Sequence, residues 1–523
     1  MKQIVILHFL ILIVSVVPAS ASGDDTAEWV TELQSFLEQA TDALDVPGAA
    51  VVVVTREGEQ LVLTHGARCV GEAGSVTPQT SFGIGSLTKM FTATAAAVLV
   101  GEGDLDWDTR VRELIPGLTL ADPVVGERLT LRDLLAHRSG ILSHNLLLLN
   151  IDAPQEWILP RLAFIEQTEE FRDRFLYSDL GYVLAAEMIG RAAGTSWSAV
   201  ISDRLLEPLG MWSTSIGAPR MPPVDTACGH RRWRDQITAL GPINLSAGAP
   251  SNGLYTTAHD MVRWLELLLG HGETNDRRIV DTGSLDETWT PQVSIRTASP
   301  EVRAYGLGWY LSSWKGHPVR WHQGGGLGFT SQIRVFPLEG VAVAVLCNRM
   351  ASAVPDLAAT RAAELLLGEP HEELLDRAVQ LTARIDAYRS AAADELRSDT
   401  SISAPPSLEP AAYVGCYEHP IFGRLELSTT GGEDLLARYH GIELGVEHLH
   451  HDEFVLSGIY TDHWKASFRA TDGAVTAVTV ALDASPSGRV FTRVAPSCSE
   501  DAPGAWIEGS GDAATSRGMR LFD

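Results

Sequence analysis

Phe82-Gly83-Ile84-Gly85-Ser86-Leu87-Thr88-Lys89 is the stretch on which the reading of this chain turns. Two glycines in an apolar run lead into a hydroxyl, and an amine follows three residues later. The stretch 86–100 is otherwise dominated by Ala, Val, Leu and Thr, which predicts a buried helix that starts at the serine and stops at Gly101. On a helix, positions i and i+3 share a face. A serine oxygen at a helix N-terminus sits where partial positive charge stabilises an anion. A neighbouring lysine that has lost its proton can accept the serine's. Arginine cannot, because its pKa is too high. Of the 40 basic residues only four are lysines: Lys2, Lys89, Lys315 and Lys465. A chain that uses arginine almost everywhere carries lysine at position 89. The same spacing recurs in Ser312-Ser313-Trp314-Lys315, but that pair falls in an expected hairpin turn and is set aside.

Working outward, apolar positions at helical spacing predict an amphipathic helix over 26–44. Val- and Leu-rich runs at 49–54 and 60–64, separated by Arg56-Glu57-Gly58-Glu59, predict a hairpin. A helical block follows. Thr130-Leu131-Arg132-Asp133 has the form of a capping box, and 182–193 and 257–269 have helical spacing. Strand patterns return at 306–312, 319–322, 332–336 and 341–346. Strands at both ends of a helical block predict an α+β fold, an antiparallel sheet built from both ends and flanked by helices. Two helices follow at 355–367 and 371–396, and Ala404-Pro405-Pro406 then punctuates the chain. From about 411 to 494 the pattern changes to short alternating strands, with turns at Gly431-Gly432 and Asp472-Gly473, which predicts a small all-β barrel or sandwich. The expected division is a signal peptide over 1–21, a catalytic domain over 26–368, a helical linker over 369–404, a β domain over 405–498 and a flexible tail over 499–523.

The signal peptide rests on Lys2, the apolar run 4–17 and the small residues Ala19-Ser20-Ala21. It implies a secreted or periplasmic protein with no transmembrane anchor after cleavage. The net charge of −26 repels nucleic acid and anionic lipid, so neither is an expected partner. The five cysteines, Cys69, Cys228, Cys347, Cys416 and Cys498, form no C-x-x-C pair. An odd number leaves at least one without an intrachain partner. Cys347 ends an apolar run and reads as a buried free thiol; pairing among the other four stays open. His448-Leu449-His450-His451 offers two ligands on one strand face but no third, so no metal is expected, and no cofactor.

The chain resembles the class C β-lactamase family of penicillin-recognising serine hydrolases over about 30–350. Ser86-Leu87-Thr88-Lys89 looks like the family's nucleophile motif. Tyr177-Ser178-Asp179 looks like its Tyr-x-Asn motif, and His322-Gln323-Gly324 looks like the His-x-Gly form of its third motif. Supporting stretches are Leu134-Leu135-Ala136-His137-Arg138-Ser139-Gly140, Pro208-Leu209-Gly210-Met211, Gly253-Leu254-Tyr255-Thr256-Thr257 and Tyr305-Gly306-Leu307-Gly308-Trp309. The resemblance implies a β-lactamase/transpeptidase-like sheet and a serine hydrolase that cleaves an amide or ester through an acyl-enzyme on Ser86. Lys89 and Tyr177 share the proton work, and which of them is the base stays open. Asp179, His322, Gly324 and Gly325 would face the substrate, a small molecule or peptide, with the Ser86 and Gly325 N–H groups forming an oxyanion hole. His137 and His259 are assigned to structure.

Two departures from the family pattern stand out. Position 179 is Asp where the family has Asn, and a carboxylate accepts hydrogen bonds without donating any. Phe171-Arg172 stands where a Pro-Gly pair is usual. His in the third motif, in place of Lys, leans away from an efficient β-lactamase and toward a D-amino-acid peptidase, carboxypeptidase or esterase. The alternative is a catalytically weak or inactive member that binds or scaffolds. The stretch 411–494 resembles the lipocalin-like β domain that follows some members, through Tyr413-Val414-Gly415-Cys416-Tyr417, 448–454 and 472–475. Oligomeric state is open.

Overall fold

The computed structural model describes residues 25–148, 157–166, 171–218, 225–233, 236–241, 245, 247–296, 303–398, 404–429, 434–459, 461–482 and 488–498. The expected signal peptide, the expected tail and the Gly431-Gly432 turn lie outside them. The chain divides into two compact units: the first runs to Ser398 and also takes in Ile459–Asp462, and the second is the rest of the chain after Ser398.

The first unit opens with helix α1 (Asp25–Ala43), followed by the hairpin β1 (Gly48–Thr55) and β2 (Gln60–Gly66). Strand β1 is buried along its whole length, which explains why its sequence is a continuous apolar run and does not alternate. It pairs on one side with β2, Val51 opposite Leu63, and on the other with a strand nearly 300 residues later, Ala49 opposite Cys347. A short strand β3 (Ser81–Gly83) leads through a single 3₁₀ turn, Gly85–Leu87, into helix α2 (Thr88–Glu102). Helix α3 (Asp179–Ala193), a one-turn helix α4 (Ala249–Asn252), strand β4 (Leu254–Thr257) and helix α5 (Ala258–Leu269) complete the frame of the middle region. Strands β5 (Val293–Ile295), β6 (Arg303–Tyr305), β7 (Tyr310–Trp314), β8 (His317–Gly326), β9 (Phe329–Phe336) and β10 (Val341–Cys347) return to the main sheet. Its order is β5-β6-β7-β8-β9-β10-β1-β2, antiparallel throughout. Helices α6 (Val354–Leu367) and α7 (Leu374–Ser398) follow.

Leu33, Leu37 and Ala40 of α1, Val51 and Val53 of β1, Val343 and Val345 of β10, and Leu357, Ala358 and Ala362 of α6 form one buried cluster. At roughly 1.5–3 kcal/mol for each large apolar side chain removed from water, this cluster is what binds the two ends of the first unit. The fold is therefore the expected α+β arrangement.

Three expectations change in detail. Helix α2 runs past Gly101 to Glu102 and ends on Gly103, whose left-handed conformation (φ +83°) closes the helix. Gly101 lies inside the helix, where a Cβ would sit 2.8 Å from the Cβ of Asp281, so this glycine serves close packing and not termination. Of the strand expected over 306–312, only 310–312 is strand, the start of β7; Gly306–Trp309 connects β6, which lies before the expected range, to β7, and Gly308 turns there at φ +85°. Helix α3 begins three residues before Tyr182, with Ser178 as its cap, accepting from the Gly181 N–H. The Thr130–Asp133 capping box is present as expected.

The second unit is a closed eight-stranded antiparallel barrel running from Gly415–His419 to Arg489–Ala495. Asp472 and Gly473, both at positive φ, turn one of its hairpins. Disulfides join Cys69 to Cys228 and Cys416 to Cys498, while Cys347 is buried and unpaired. Among the described residues no helix is long and apolar enough to cross a membrane.

Candidate active site

Between Thr80 and Leu99 every residue is buried except Ser86. Two close approaches fix its position. Gly85 turns at φ +52°, and a Cβ there would lie 2.6 Å from the Gly325 nitrogen. A Cβ on Gly324 would lie 2.0 Å from the Ile84 carbonyl oxygen, which accepts a hydrogen bond from Ser331 Oγ at 2.8 Å. The 3₁₀ turn that carries Ser86 is thus seated directly on β8. Strand β7 begins at Tyr310, opposite Trp321, so from His322 to Gly326 β8 is paired only with β9. Gly325 is exposed on this free edge, with nothing within 4 Å of where its Cβ would be.

Lys89, the second residue of α2 and three residues after Ser86, is fully buried. Its Nζ donates to Asp179 Oδ1 at 2.5 Å, to Ser86 Oγ at 3.1 Å and to the Ser251 carbonyl at 3.1 Å. Three acceptors for three hydrogens is the pattern of an ammonium. Burial pushes the Lys89 pKa below the ordinary lysine value, and the Asp179 carboxylate opposes that shift. Nζ also lies 4.8 Å from the centre of the Tyr177 ring. Burial, then the Asp179 charge, push the Tyr177 phenol well above its usual range, against the pull of its hydrogen bond with Ser86.

The segment bearing Tyr177 and Asp179 is clamped from His137, whose backbone is itself left-handed (φ +55°). The Leu176 N–H donates to the His137 carbonyl at 2.8 Å, and the Ser178 N–H donates to His137 Nδ1 at 3.0 Å. Arg172 has φ +68°, the conformation for which glycine is ordinarily chosen. Its guanidinium binds the fully buried carboxylate of Asp133, 2.7 Å from Nη2 to Oδ2, and the other oxygen, Oδ1, accepts from Arg138 Nε at 2.7 Å. The departure from Pro-Gly at 171–172 therefore has a physical account: an ion pair holds the turn that a glycine would otherwise ease.

Ser86, Lys89, Tyr177, Asp179, Gly324 and Gly325 come together as one site. Two of the residues expected to face substrate sit differently. Asp179 is 6% exposed, and its Oδ1 accepts from both Lys89 and Asn252. His322 is 1% exposed; Nδ1 is bonded to the Gln323 carbonyl at 2.8 Å and Nε2 to the Tyr305 hydroxyl at 2.9 Å. Burial, reinforced by the Lys89 charge, pushes its pKa down to about 3, so it is neutral at working pH. Its ring is turned away from solvent. Ser312 accepts from Trp321 Nε1, and Lys315, in the β7–β8 turn, pairs with Glu364. Among the described residues the group with metal-ligand proximity is Cys69, Glu72 and Cys228, and its cysteines are joined to each other.

Sequence reasoning missed Asn252. Its Oδ1 accepts from Ser86 Oγ at 3.0 Å, and its Nδ2 donates to Asp179 Oδ1 at 3.2 Å and to Ser251 Oγ at 2.9 Å.

The family model described as Beta-lactamase matches residues 33–367. Penicillin-binding protein 4 of Amycolatopsis lactamdurans is 30% identical over 323 residues, 58% of this chain and 81% of that protein. The octameric penicillin-binding protein homologue from Pyrococcus abyssi superposes with a TM-score of 0.57 at 24% identity, covering 88% of this chain and 100% of that one. A D-stereospecific amidohydrolase from Streptomyces sp. gives a TM-score of 0.53 at 25% identity, covering 64% of this chain and 97% of its own.

Proposed function

Because the chain belongs to the Beta-lactamase family and is a serine hydrolase of that family, we propose that it hydrolyses amides or esters of D-amino acids through an acyl-enzyme on Ser86. The observation that carries this reading is the contact of Lys89 Nζ with Ser86 Oγ at 3.1 Å, at the one unburied position of the apolar run. In the proposed reaction Lys89, once deprotonated, takes the Ser86 proton as Oγ attacks the substrate carbonyl. The developing oxyanion meets the N–H groups of Ser86 and Gly325. Tyr177, held as a phenol by burial and by Asp179, passes a proton to the departing amine or alcohol and is reprotonated from Lys89. Water then repeats the sequence on the acyl-enzyme.

The D-residue preference draws on the likeness to the D-stereospecific amidohydrolase. A neutral, buried His322 leaves the third motif without the cation that would anchor a carboxylate, which speaks against an efficient β-lactamase or carboxypeptidase. The two disulfides fit an oxidising compartment, so we place the protein outside the cytoplasm. The test is a panel of matched D- and L-aminoacyl p-nitroanilides and esters, with a chromogenic cephalosporin alongside. The reading expects kcat/KM at least tenfold higher for the D-series than for either the L-series or the cephalosporin. Equal rates on D and L substrates would overturn the stereochemical part.

A further inference from the structure

Asn252 closes a ring of four side chains. Ser86 Oγ donates to Asn252 Oδ1, Asn252 Nδ2 donates to Asp179 Oδ1, Lys89 Nζ donates to that same oxygen, and Lys89 Nζ donates to Ser86 Oγ. Every link pairs a donor with an acceptor. The amide orientation follows from the chemistry: a flipped Asn252 would set its own carbonyl oxygen against the Asp179 carboxylate.

The segment that carries Asn252 is fixed to the nucleophile's helix from several directions. Thr92 Oγ1 donates to the Pro250 carbonyl at 2.8 Å, Lys89 to the Ser251 carbonyl, and the Leu254 N–H to Thr88 Oγ1 at 3.1 Å. The Ile84 N–H donates to the Leu254 carbonyl at 3.0 Å. Between Ala249 and Ala258, Asn252 is the one residue that is not buried. It therefore shares the cleft surface with Ser86.

We infer that Asn252 is a further catalytic residue of this site, supplying from α4 the carboxamide that position 179 lacks. Its carbonyl accepts from the Ser86 hydroxyl while Lys89 is still the ammonium that donates to Oγ, fixing the position of Oγ until Lys89 loses its proton, and its N–H holds Asp179 against Lys89. The inference rests on the serine-nucleophile reading above. A carboxylate at 179 can satisfy Lys89 but cannot donate; Asn252 provides the donor, so the two positions work as one amide–carboxylate pair.

The experiment measures the rate of fluorophosphonate labelling in the full chain, with the modified peptide identified by mass spectrometry and thermal melting recorded for each variant. Loss of a hydrogen bond to the reacting group in Asn252→Ala is expected to slow labelling about 10- to 100-fold. Asn252→Asp sets two carboxylates against each other and is expected to be slower still. The exchange variant Asp179→Asn/Asn252→Asp restores one amide and one carboxylate and is expected to recover at least about tenfold over Asn252→Asp, a rescue that a merely structural asparagine would not show. If Asn252→Ala does not fold, the comparison of Asn252→Asp with the exchange variant decides. Labelling of a folded Asn252→Ala at the wild-type rate, or an exchange variant no faster than Asn252→Asp, overturns the inference while leaving Ser86 as nucleophile. A wild-type protein that takes no label at Ser86 overturns the underlying reading, and the inference with it.

Discussion

Lys89 and Asp179 meet 2.5 Å apart in a site where the lysine side chain is wholly buried and the carboxylate nearly so. Two opposed influences act on one proton: burial drives Lys89 toward the amine, and Asp179 holds it as the ammonium.

Asp179→Asn removes the influence that favours the ammonium and leaves burial in place. The Lys89 ionisation then falls further below the ordinary lysine value, and the rising limb of the kcat/KM profile moves to lower pH. The measurement is a pair of pH–rate profiles on a neutral ester. Because Asp179 is nearly buried and engaged with Lys89 and Asn252, the same change leaves KM for substrates with a free amino group within about twofold. Superimposable profiles would mean that Asp179 does not govern Lys89.

The glycines of β8 should separate by position. Gly324→Ala drives a methyl into the Ile84 carbonyl and Ser331 Oγ, at 2.0 and 2.2 Å, and so pushes the Ser86 turn off the strand. Labelling should fall by at least about 100-fold, the scale expected when a reacting group is misplaced by about 1 Å. Gly325→Ala meets nothing within 4 Å and should fold normally, with its methyl narrowing the cleft and raising KM. Crystal structures and steady-state kinetics of both variants check this; equal effects would contradict it.

Much of this site was legible in the sequence because its chemistry is local. Ser86 and Lys89 are three residues apart, and lysine is scarce enough in this chain to draw notice. The Thr130–Asp133 capping box and the apolar run of β1 were legible for the same reason. What was missed depends on distant contacts. Asn252 is 166 residues from Ser86, and only the fold carries it to the nucleophile. Arg172 read as a departure because its partner, Asp133, lies 39 residues away and its backbone conformation leaves no trace in composition. His322 was expected to face substrate because it stands at the start of the third motif of the family the chain resembles, but its side chain turns inward to Tyr305.

Asp133 should be a stability residue with a definite pH signature. Burial raises its pKa, but hydrogen bonds from Arg172 and Thr130 and the charge of Arg138 outweigh burial and hold it below the usual carboxylate range. A depressed folded-state pKa stabilises the protein fully above the unfolded value of about 4, and that contribution is lost as pH falls through the folded value. Asp133→Ala leaves Arg138 and Arg172 uncompensated and should cost about 3–5 kcal/mol near neutral pH. Chemical denaturation at pH 7 and at pH 3 should show that the gap between variant and wild type narrows at the lower pH. A gap independent of pH would contradict the ion-pair account.

The central claim is that Ser86 is the nucleophile of a Lys-assisted hydrolase, and intact-protein mass spectrometry after fluorophosphonate treatment, with peptide mapping, tests it most directly. The account predicts one adduct per chain, located on Ser86, absent in Ser86→Ala and unchanged in Ser312→Ala, with Lys89→Arg labelled at least about 100-fold more slowly because arginine keeps its proton. An adduct at Ser312, or a folded wild-type protein that stays unlabelled, would contradict it.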